Sequence, residues 1–244
     1  RERLSLMSYV DGNAYVEGQP IEKDDVKDMI DFLVELNRDT SIDDVEKIKR
    51  AKDGQLSLMD HLLEVERRLG MIDIDMCISG TNRDTAGYLL NRVKILALEC
   101  RRHLEESSTS RDLSYKPTSW ISPGDFGFHN AVKTRKNVVF LDFEYSGWDY
   151  IEKIVADIVL QPRVPIARTV EECEVLIVEL MDRCDLEQFN KLKQILTAKW
   201  ACIMLKFLDR YGKARILTDE GYSLEYQQRI QLDRVERFLV KHSR

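Results

Sequence analysis

The sequence predicts an α+β protein in which a mainly helical body holds one irregular, strand-containing segment. Two observations lead to this prediction. Through most of the 244 residues, apolar side chains recur at three- and four-residue steps, which places them on one face of a helix. Between 112 and 146 this periodicity stops, and Pro, Gly and short β-type runs take over. Because irregular segments on a rigid body often carry function, we expect the chemistry there.

Seven helices are predicted, and several have recognisable ends. The second begins after Ser57 as N-cap and ends at Gly70. The third is the clearest, because its apolar residues form one long stripe. The predicted helices cover 24–37, 57–69, 84–106, 150–160, 169–182, 186–210 and 222–242.

Extended structure is predicted at two places. Leu4, Leu6 and Val10 form a short strand-like run that ends at the turn signal Asp11-Gly12. Further along, the Val and Phe content of 138–143 predicts a strand. We expect this strand to pair with 131–133 across a turn at Lys136-Asn137.

Composition excludes several classes of function. A net charge of −6, without Lys and Arg clusters among aromatics, argues against a nucleic-acid surface. No apolar run approaches the roughly 20 residues that a membrane span requires. The five cysteines form no CxxC pair, and the four histidines lack zinc-ligand spacing. We therefore expect a cytoplasmic protein with reduced thiols that binds neither nucleic acid nor membrane.

The irregular segment contains an ordered set of acidic and amide side chains. Asp125 and Asn130 are five residues apart with Gly127 between them, so a tight loop could point both inward. Asp142 directly follows the apolar strand, and Glu144 would project from the same face of an extended segment. Phosphoryl transfer needs a carboxylate beside the attacking hydroxyl, and carboxylate and amide oxygens that hold Mg²⁺. Each feature alone is common, and Asp-x4-Asn is often only a turn, but their joint order favours this chemistry.

Three stretches resemble a known family. PGDFGFHN resembles the catalytic loop of aminoglycoside phosphotransferases and choline/ethanolamine kinases, whose pattern is His-x-Asp-x4-Asn. LDFEYS is similar to the Asp-x-Glu segment of choline kinases, and LMSYVDG resembles the hinge of aminoglycoside kinases. The matching stretches span about 4–12 and 120–160. The resemblance implies the mainly α-helical C-terminal lobe of a protein-kinase-like fold, with 1–18 as hinge and remnant of the N-terminal lobe and 19–244 as catalytic lobe.

The resemblance implies a role for each residue of the motifs. Asp125 would be the catalytic base, Asn130 and Asp142 would bind Mg²⁺, and Glu144 would assist at a second metal. Asp157, in ADIVLQP, would hydrogen-bond the backbone of the catalytic loop; the alternative is an exposed helix Asp.

The resemblance also bears on how the nucleotide, ATP or GTP, would be bound. The Ser8 carbonyl and the Val10 amide would hydrogen-bond its base. Pro123 stands where the family has His, and its fixed φ could replace that residue structurally. The 11 glycines form no GxGxxG, and the family's Gly-rich loop and lysine precede the hinge, so the N-terminal lobe is expected to be absent or nearly so.

The implied function is a small-molecule kinase that transfers the γ-phosphate to a hydroxyl of an amino alcohol, an aminoglycoside or a sugar. Tyr145, Trp148 and Tyr150 follow the metal segment and would line the acceptor pocket. The acidic balance and these aromatics suggest a cationic acceptor, whose charge Asp149 and Glu152 could receive.

Two further features of the sequence have alternative interpretations, and the oligomeric state is open. His129 is interpreted as structural or as part of the substrate edge, because the motif already has its base. Trp200, Phe207 and Tyr211 are spaced as helix core rather than as a cage for a quaternary ammonium. The alternative function is an inactive, pseudokinase-like binding module, against which the complete set of motif residues argues. A purely structural helical protein is the third interpretation.

Overall fold

The computed structural model describes residues 10–38, 48–78, 80, 82–107, 118–208 and 222–242. The helices are α1 (Lys23–Leu36), α2 (Leu58–Leu69), α3 (Ile74–Cys77), α4 (Asn82–Ser107), α5 (Ile151–Leu160), α6 (Val170–Leu176), α7 (Val178–Met181), α8 (Leu186–Met204) and α9 (Leu224–His242). The strands are β1 (Asn13–Ala14), β2 (Ser119–Ser122), β3 (Ala131–Lys133), β4 (Val138–Phe140) and β5 (Gly147–Tyr150), with 3₁₀ turns at Phe128–Asn130 and Lys206–Leu208.

Helix α8 forms the centre of the helical body. It packs against α2, α4, α5 and α9, and its residues Leu192, Leu196 and Ala201 are buried. Because neighbouring helices cover it on several sides, its apolar residues are more widely spread than one stripe requires. Within the described ranges, no helix is both long and apolar enough to cross a bilayer.

The local signals at α2 act as the sequence predicts. The Ser57 hydroxyl accepts a hydrogen bond from the Asp60 amide at 3.1 Å, and the Asp60 carboxylate accepts one from the Ser57 amide at 3.2 Å. This reciprocal capping box satisfies two backbone donors at the helix start. The helix ends before Gly70, as expected.

The five strands of the described residues form two small antiparallel sheets. Strands β1, β3 and β4 form one sheet, and β2 pairs with β5 in the other. Ser119 lies opposite Tyr150 and Ser122 lies opposite Gly147. Since β2 leads into the loop that carries Asp125 and β5 follows the segment that carries Asp142, this pairing brings the two stretches together.

The mixed, mainly helical fold class is confirmed, as is the pairing of 131–133 with the next strand. Helical structure is confirmed within 169–182, but the prediction of one continuous helix is wrong, because the chain leaves helical geometry at Ile177 (φ −110°, ψ 22°) and forms two short helices. The helix from 186 ends at Met204, and the predicted strand from 138 ends at Phe140. Strands β2 and β5 and helix α3 were not predicted.

Candidate functional site

The loop from Ser122 to Asn130 is held by buried aromatic side chains and by a close backbone contact. Phe126 and Phe128 are buried, and the Phe126 ring lies 4.7 Å from the Phe140 ring, centroid to centroid. Gly124 has a φ of +93°, and a Cβ there would lie 2.8 Å from the Tyr145 carbonyl carbon. Glycine therefore lets the loop touch the backbone of the segment after Asp142.

Asp125 is the exposed member of this loop. Its side chain is 47% exposed, while that of His129, whose Nε2 lies 3.0 Å from Asp125 Oδ1, is 2% exposed. The hydrogen bond from His129 lowers the pKa of the Asp125 carboxyl below its usual value, and the charges of Arg163 and Lys52 add to this effect. The carboxylate is therefore ionised at neutral pH, with one oxygen held and the other open to solvent.

The tautomer of His129 follows from its neighbours. An ionised Asp125 accepts only, so Nε2 of His129 must carry the proton and donate it. Gln161 Nε2, at 3.4 Å from the same nitrogen, is then a packing contact, and Gln161 Oε1 is fixed because it accepts from the Arg163 amide at 2.9 Å. Imidazole Nδ1 is buried without a hydrogen-bond partner among the described residues. The ring is thus committed to Asp125, which supports the structural interpretation of His129.

Asn130 links the loop to the following strand. Its Nδ2 donates to the Asp125 carbonyl at 2.8 Å, and its carbonyl accepts from the Leu141 amide at 2.9 Å. The side-chain amide is therefore oriented with Oδ1 as an acceptor, which has no hydrogen-bond partner in the described part of the chain. Oδ1 of Asn130 is available to a ligand.

Asp142 has a strained backbone, which corrects the expected geometry. Its φ is +63°, a left-handed conformation that costs a non-glycine residue about 1–3 kcal/mol. Glu144 and Tyr145 lie in a turn, so Asp142 and Glu144 do not share one face of an extended segment. Both side chains are exposed, and within the described residues neither carboxylate forms a hydrogen bond or an ion pair.

The oxygen atoms of Asn130 and Asp142 could bind Mg²⁺ only together with ligands from outside the protein. Among the described residues, no three His, Cys, Asp or Glu side chains are grouped closely enough to hold a metal ion. Mg²⁺ commonly uses one or two protein carboxylates and takes its other ligands from phosphates and water. Asn130 and Asp142 therefore fit an ion that arrives with a nucleotide, and their role as ligands stays a prediction.

Asp157 does not have the position implied by the resemblance. Its Oδ2 accepts from Lys153 Nζ at 2.8 Å and its Oδ1 accepts from Trp200 Nε1 at 3.2 Å. Lys153 is buried and also pairs with Asp149 at 3.0 Å. Oδ1 of Asp157 thus links α5 to α8, while Oδ2 compensates the buried ammonium of Lys153 within α5. Within the described residues, neither oxygen hydrogen-bonds the Asp125 loop.

The expected acceptor pocket is only partly available. Tyr145 is half-exposed, with Lys52 Nζ 4.0 Å from its ring centroid, and Tyr150 is partly exposed. Trp148 is buried between the strands, so its side chain lines no open pocket in this conformation.

The expected receivers of a cationic substrate do not fit. Asp149 is completely buried; its Oδ1 accepts a hydrogen bond from the Gln55 amide at 3.0 Å, and its Oδ2 forms an ion pair with Lys153 at 3.0 Å. Glu152 is also buried and accepts from the Asp185 amide at 3.0 Å. Both carboxylates hold the structure together, so the expectation that they bind a cationic acceptor is wrong.

Three residues beside Asp125 were missed by the sequence reasoning, namely Lys52, Gln161 and Arg163. They come from distant parts of the chain, and no motif marks them. Lys52 is brought in because its amide donates to the Tyr145 carbonyl at 3.1 Å. Gln161 and Arg163 follow directly after α5. Only tertiary contacts could have identified them, namely the Lys52–Tyr145 backbone bond and the position of the residues after α5.

Of the remaining predicted positions, some lie outside the described residues and some within them. Ser8 and Tyr211 lie outside the described residues, as do Leu4 and Leu6. Val10 is the first described residue, and the role of its amide stays a prediction. Phe207 is buried and Trp200 packs against the core, which agrees with the core interpretation of that stripe.

Comparison with known proteins adds a distant likeness. No protein-family model matches the sequence, and no curated protein does. Among solved structures, the chain is similar to a choline kinase from Cryptosporidium parvum Iowa II, at 13% sequence identity and with a TM-score of 0.44. The match covers 96% of this chain and 71% of that chain. A likeness at this level carries no argument, so membership of the kinase family stays a prediction.

Proposed function

We propose that this chain transfers a phosphoryl group from a magnesium-bound nucleotide, ATP or GTP, to a hydroxyl of a small molecule. The observation that carries the proposal is the Asp125–His129 pair. A solvent-open carboxylate is held at 3.0 Å by a buried imidazole, next to an amide oxygen and a strained acidic segment without protein partners. Strained backbone and unpartnered polar groups are typical of sites that bind and transform ligands.

In the proposed mechanism, Asp125 orients the acceptor hydroxyl and accepts its proton as the new bond to phosphorus forms. His129 holds the carboxylate in one orientation, which reduces the entropy cost of aligning the reacting groups. Lys52 and Arg163 place positive charge near Asp125, which keeps its carboxylate ionised and would offset the negative charge of the phosphoryl group transferred beside it. Mg²⁺ on Asn130 and Asp142 would neutralise the nucleotide phosphates.

The architecture that goes with this proposal is the helical lobe of a kinase-like fold. Residues 1–18 would supply the hinge to the nucleotide base, and 19–244 would form the catalytic lobe. The β2–β5 pairing supports the proposal, because it holds the Asp125 loop against the Asp142 segment. In kinases the base and the metal ligands must lie in adjacent loops.

A second candidate, an inactive binding module, is favoured by one observation. Asp142 and Glu144 do not lie on one extended strand, and among the described residues no three His, Cys, Asp or Glu side chains are grouped closely enough to hold a metal ion. A module of this kind would bind a nucleotide without phosphate transfer. Measuring binding and transfer on the same sample separates the two candidates.

The test of the proposed function is Asp125→Asn, which keeps shape and removes the base. We expect phosphate transfer, followed as product formed from radiolabelled nucleotide across a set of alcohols, to fall by about 100-fold or more. Nucleotide affinity in the same titration should change little, because the carboxylate acts on the acceptor. Asp233→Asn, an exposed position on α9, is the matched control. Turnover of Asp125→Asn within a few-fold of the wild-type rate would remove Asp125 from the mechanism.

A further inference from the structure

A small cavity lies between α9 and the residues that follow α5. Its volume is about 220 Å³, and Gln161 and Arg163 line its end nearest the Asp125 loop. Gln161 contacts His129 at 3.4 Å, and the charge of Arg163 lowers the pKa of the Asp125 carboxyl. The cavity therefore adjoins the candidate site. We call it the α9 cavity.

The α9 cavity is positively charged. Among the described residues that line it, the basic side chains are Arg163, Arg234, Arg237 and Lys241, and the acidic one is Glu17. Glu17 is already used, because it pairs with Arg234 at 2.7 Å. Neither the Arg163 nor the Arg237 guanidinium has a hydrogen-bond or ion-pair partner within the described ranges. In the described part of the chain, two guanidinium groups without a hydrogen-bond or ion-pair partner thus line one small space, and of these Arg163 also lies within the electrostatic influence of Asp125.

Two partly satisfied groups lie at the other end of the α9 cavity. Lys241 Nζ donates to the Ala167 carbonyl at 2.8 Å, which leaves two of its N–H groups for another acceptor. His242 is 8% exposed, and its Nδ1 has no hydrogen-bond partner among the described residues. Burial, together with the charges of Lys241 and Lys193, lowers the pKa of His242 to about 3, so the imidazole is neutral. A buried polar atom without a partner is costly, and an acceptor group from a ligand would satisfy Nδ1 in the tautomer that carries the proton there.

The neighbouring cavity differs in charge. It measures about 640 Å³ and shares Arg237, Lys241 and His242 with the α9 cavity. Glu171, Glu174 and Glu236 also line it, so its charges are nearly balanced. The excess of positive charge is therefore specific to the smaller cavity, which lies nearer Asp125.

We propose that the α9 cavity binds an oxyanion group, and that the acceptor is a small hydroxylated organic anion. Guanidinium groups bind phosphate and carboxylate through two parallel hydrogen bonds, which suits Arg163 and Arg237. The volume lies below the roughly 300 Å³ at which pockets for drug-sized ligands begin, so the ligand is small. That the ligand is the acceptor rests on the proposed function; that the cavity binds an anion does not.

This proposal replaces the cationic acceptor that the acidic composition suggests. The net charge of −6 is a property of the whole chain, whereas recognition depends on the side chains within a few ångströms of the ligand. Around the α9 cavity, the local charge has the opposite sign.

The test is a calorimetric titration of the chain, without nucleotide, against four probes. Glycerol 3-phosphate and glycerate present the oxyanion on a hydroxylated carbon chain, while glycerol and choline are the neutral and cationic counterparts. We expect the two anions to bind, and Arg237→Gln to weaken them by about tenfold or more. Arg229→Gln is the matched control, because it removes the same charge from the exposed side of α9, where Arg229 lies 5.4 Å from the Tyr226 ring.

Inorganic phosphate distinguishes a free-anion site from a substrate site. Binding of glycerol 3-phosphate at least tenfold tighter than phosphate supports an organic anion, and equal affinity of the two contradicts it. The imidazole resonances of His242, assigned with a His242→Asn sample, should shift on titration with glycerol 3-phosphate. Absence of anion binding, tighter binding of choline, or equal losses in Arg237→Gln and Arg229→Gln would overturn the proposal.

The outcome is separable from that of the proposed function. Anion binding that depends on Arg237, in a chain that transfers no phosphate to any alcohol, would leave the α9 cavity as an anion site and reject the kinase. Phosphate transfer to glycerol or choline, without anion binding, would reject the α9 cavity and retain the kinase.

Discussion

The loop that carries Asp125 and the segment that carries Asp142 lie side by side, but they are built differently. In the loop, Asp125 is fixed by the hydrogen bond from His129, and Asn130 is fixed by its hydrogen bond to the Asp125 carbonyl. The buried residues Phe126 and Phe128 lie between them in the chain. In the segment, Asp142 and Glu144 are exposed and have no protein partner within the described ranges, and the Asp142 backbone is strained. The loop therefore has its hydrogen-bond partners in place, whereas the segment has no counter-charge for its carboxylates within the described ranges.

This difference indicates a division of labour. A base must be oriented before its substrate arrives, because alignment of reacting groups contributes much of the rate. A metal-binding carboxylate instead needs free lone pairs, since the ion itself completes the arrangement. The proposed function therefore predicts different responses to mutation in the two regions.

The largest expected effect is in the segment. Asp142→Gly removes the carboxylate and relieves the strained backbone, so loss of folding does not complicate the result. We expect nucleotide affinity in the presence of Mg²⁺ to fall by about 100-fold, while the weak affinity without Mg²⁺ is unchanged. Calorimetry with and without Mg²⁺ measures both values.

Glu144→Gln is the companion variant for the same titrations, with an expected loss below about tenfold, because Glu144 lies in the turn after Asp142 and has only an assisting role in the proposed site. An unaltered dependence on Mg²⁺ in Asp142→Gly would show that the Asp-Phe-Glu resemblance is accidental.

An intermediate effect is expected in the loop. His129→Leu removes the hydrogen bond that lowers the pKa of Asp125, and we expect kcat to fall by about 10- to 100-fold through misplacement of the base. The acid limb of the pH–rate profile should move to higher pH, since the pKa of Asp125 returns toward its ordinary value. His129→Gln retains an N–H donor and should recover part of both effects.

The same bond has a signed effect on stability. Because the folded-state pKa of Asp125 lies below the unfolded one, the bond stabilises the fold above the unfolded pKa and this stabilisation is lost as pH falls through the folded pKa. Wild type and His129→Leu should therefore unfold more similarly in acid than at neutral pH. His103→Gln, exposed on α4, serves as control. An unmoved acid limb in His129→Leu would show that His129 does not position the base.

The smallest expected effect concerns the strain at Asp142. Since a left-handed φ is unfavourable for a residue with Cβ, Asp142→Gly should raise the free energy of unfolding by up to about 1 kcal/mol, or the melting temperature by about 2–4 °C. Asp142→Ala should lower both, because Asp tolerates this conformation better than Ala. Thermal unfolding of the three proteins in parallel is the measurement. A melting temperature of Asp142→Gly below that of Asp142→Ala would contradict the assigned strain.

The sequence predicts those parts of the fold that depend on residues close together in the chain. Ser57 and Gly70 mark the ends of α2 because capping involves residues three or four positions apart. The β3–β4 hairpin is equally local. The break at Ile177 was missed, since the apolar periodicity of 169–182 continues through it and no Gly or Pro marks the position; in the structure Ile177 is fully buried. Strand β2 was missed because its partner β5 lies 25 residues further along the chain.

The sequence by itself determined the fold class, the helical stripes and the order of Asp125, Asn130, Asp142 and Glu144, because periodicity and motif spacing are properties of the chain. Tertiary structure alone decided what surrounds them. It assigned Asp157 and Asp149 to a buried lysine, gave His129 to Asp125, and brought Arg163 and Arg237 to one cavity. Electrostatic and hydrogen-bonding partners depend on distances of a few ångströms between residues far apart in sequence, and only packing sets those distances.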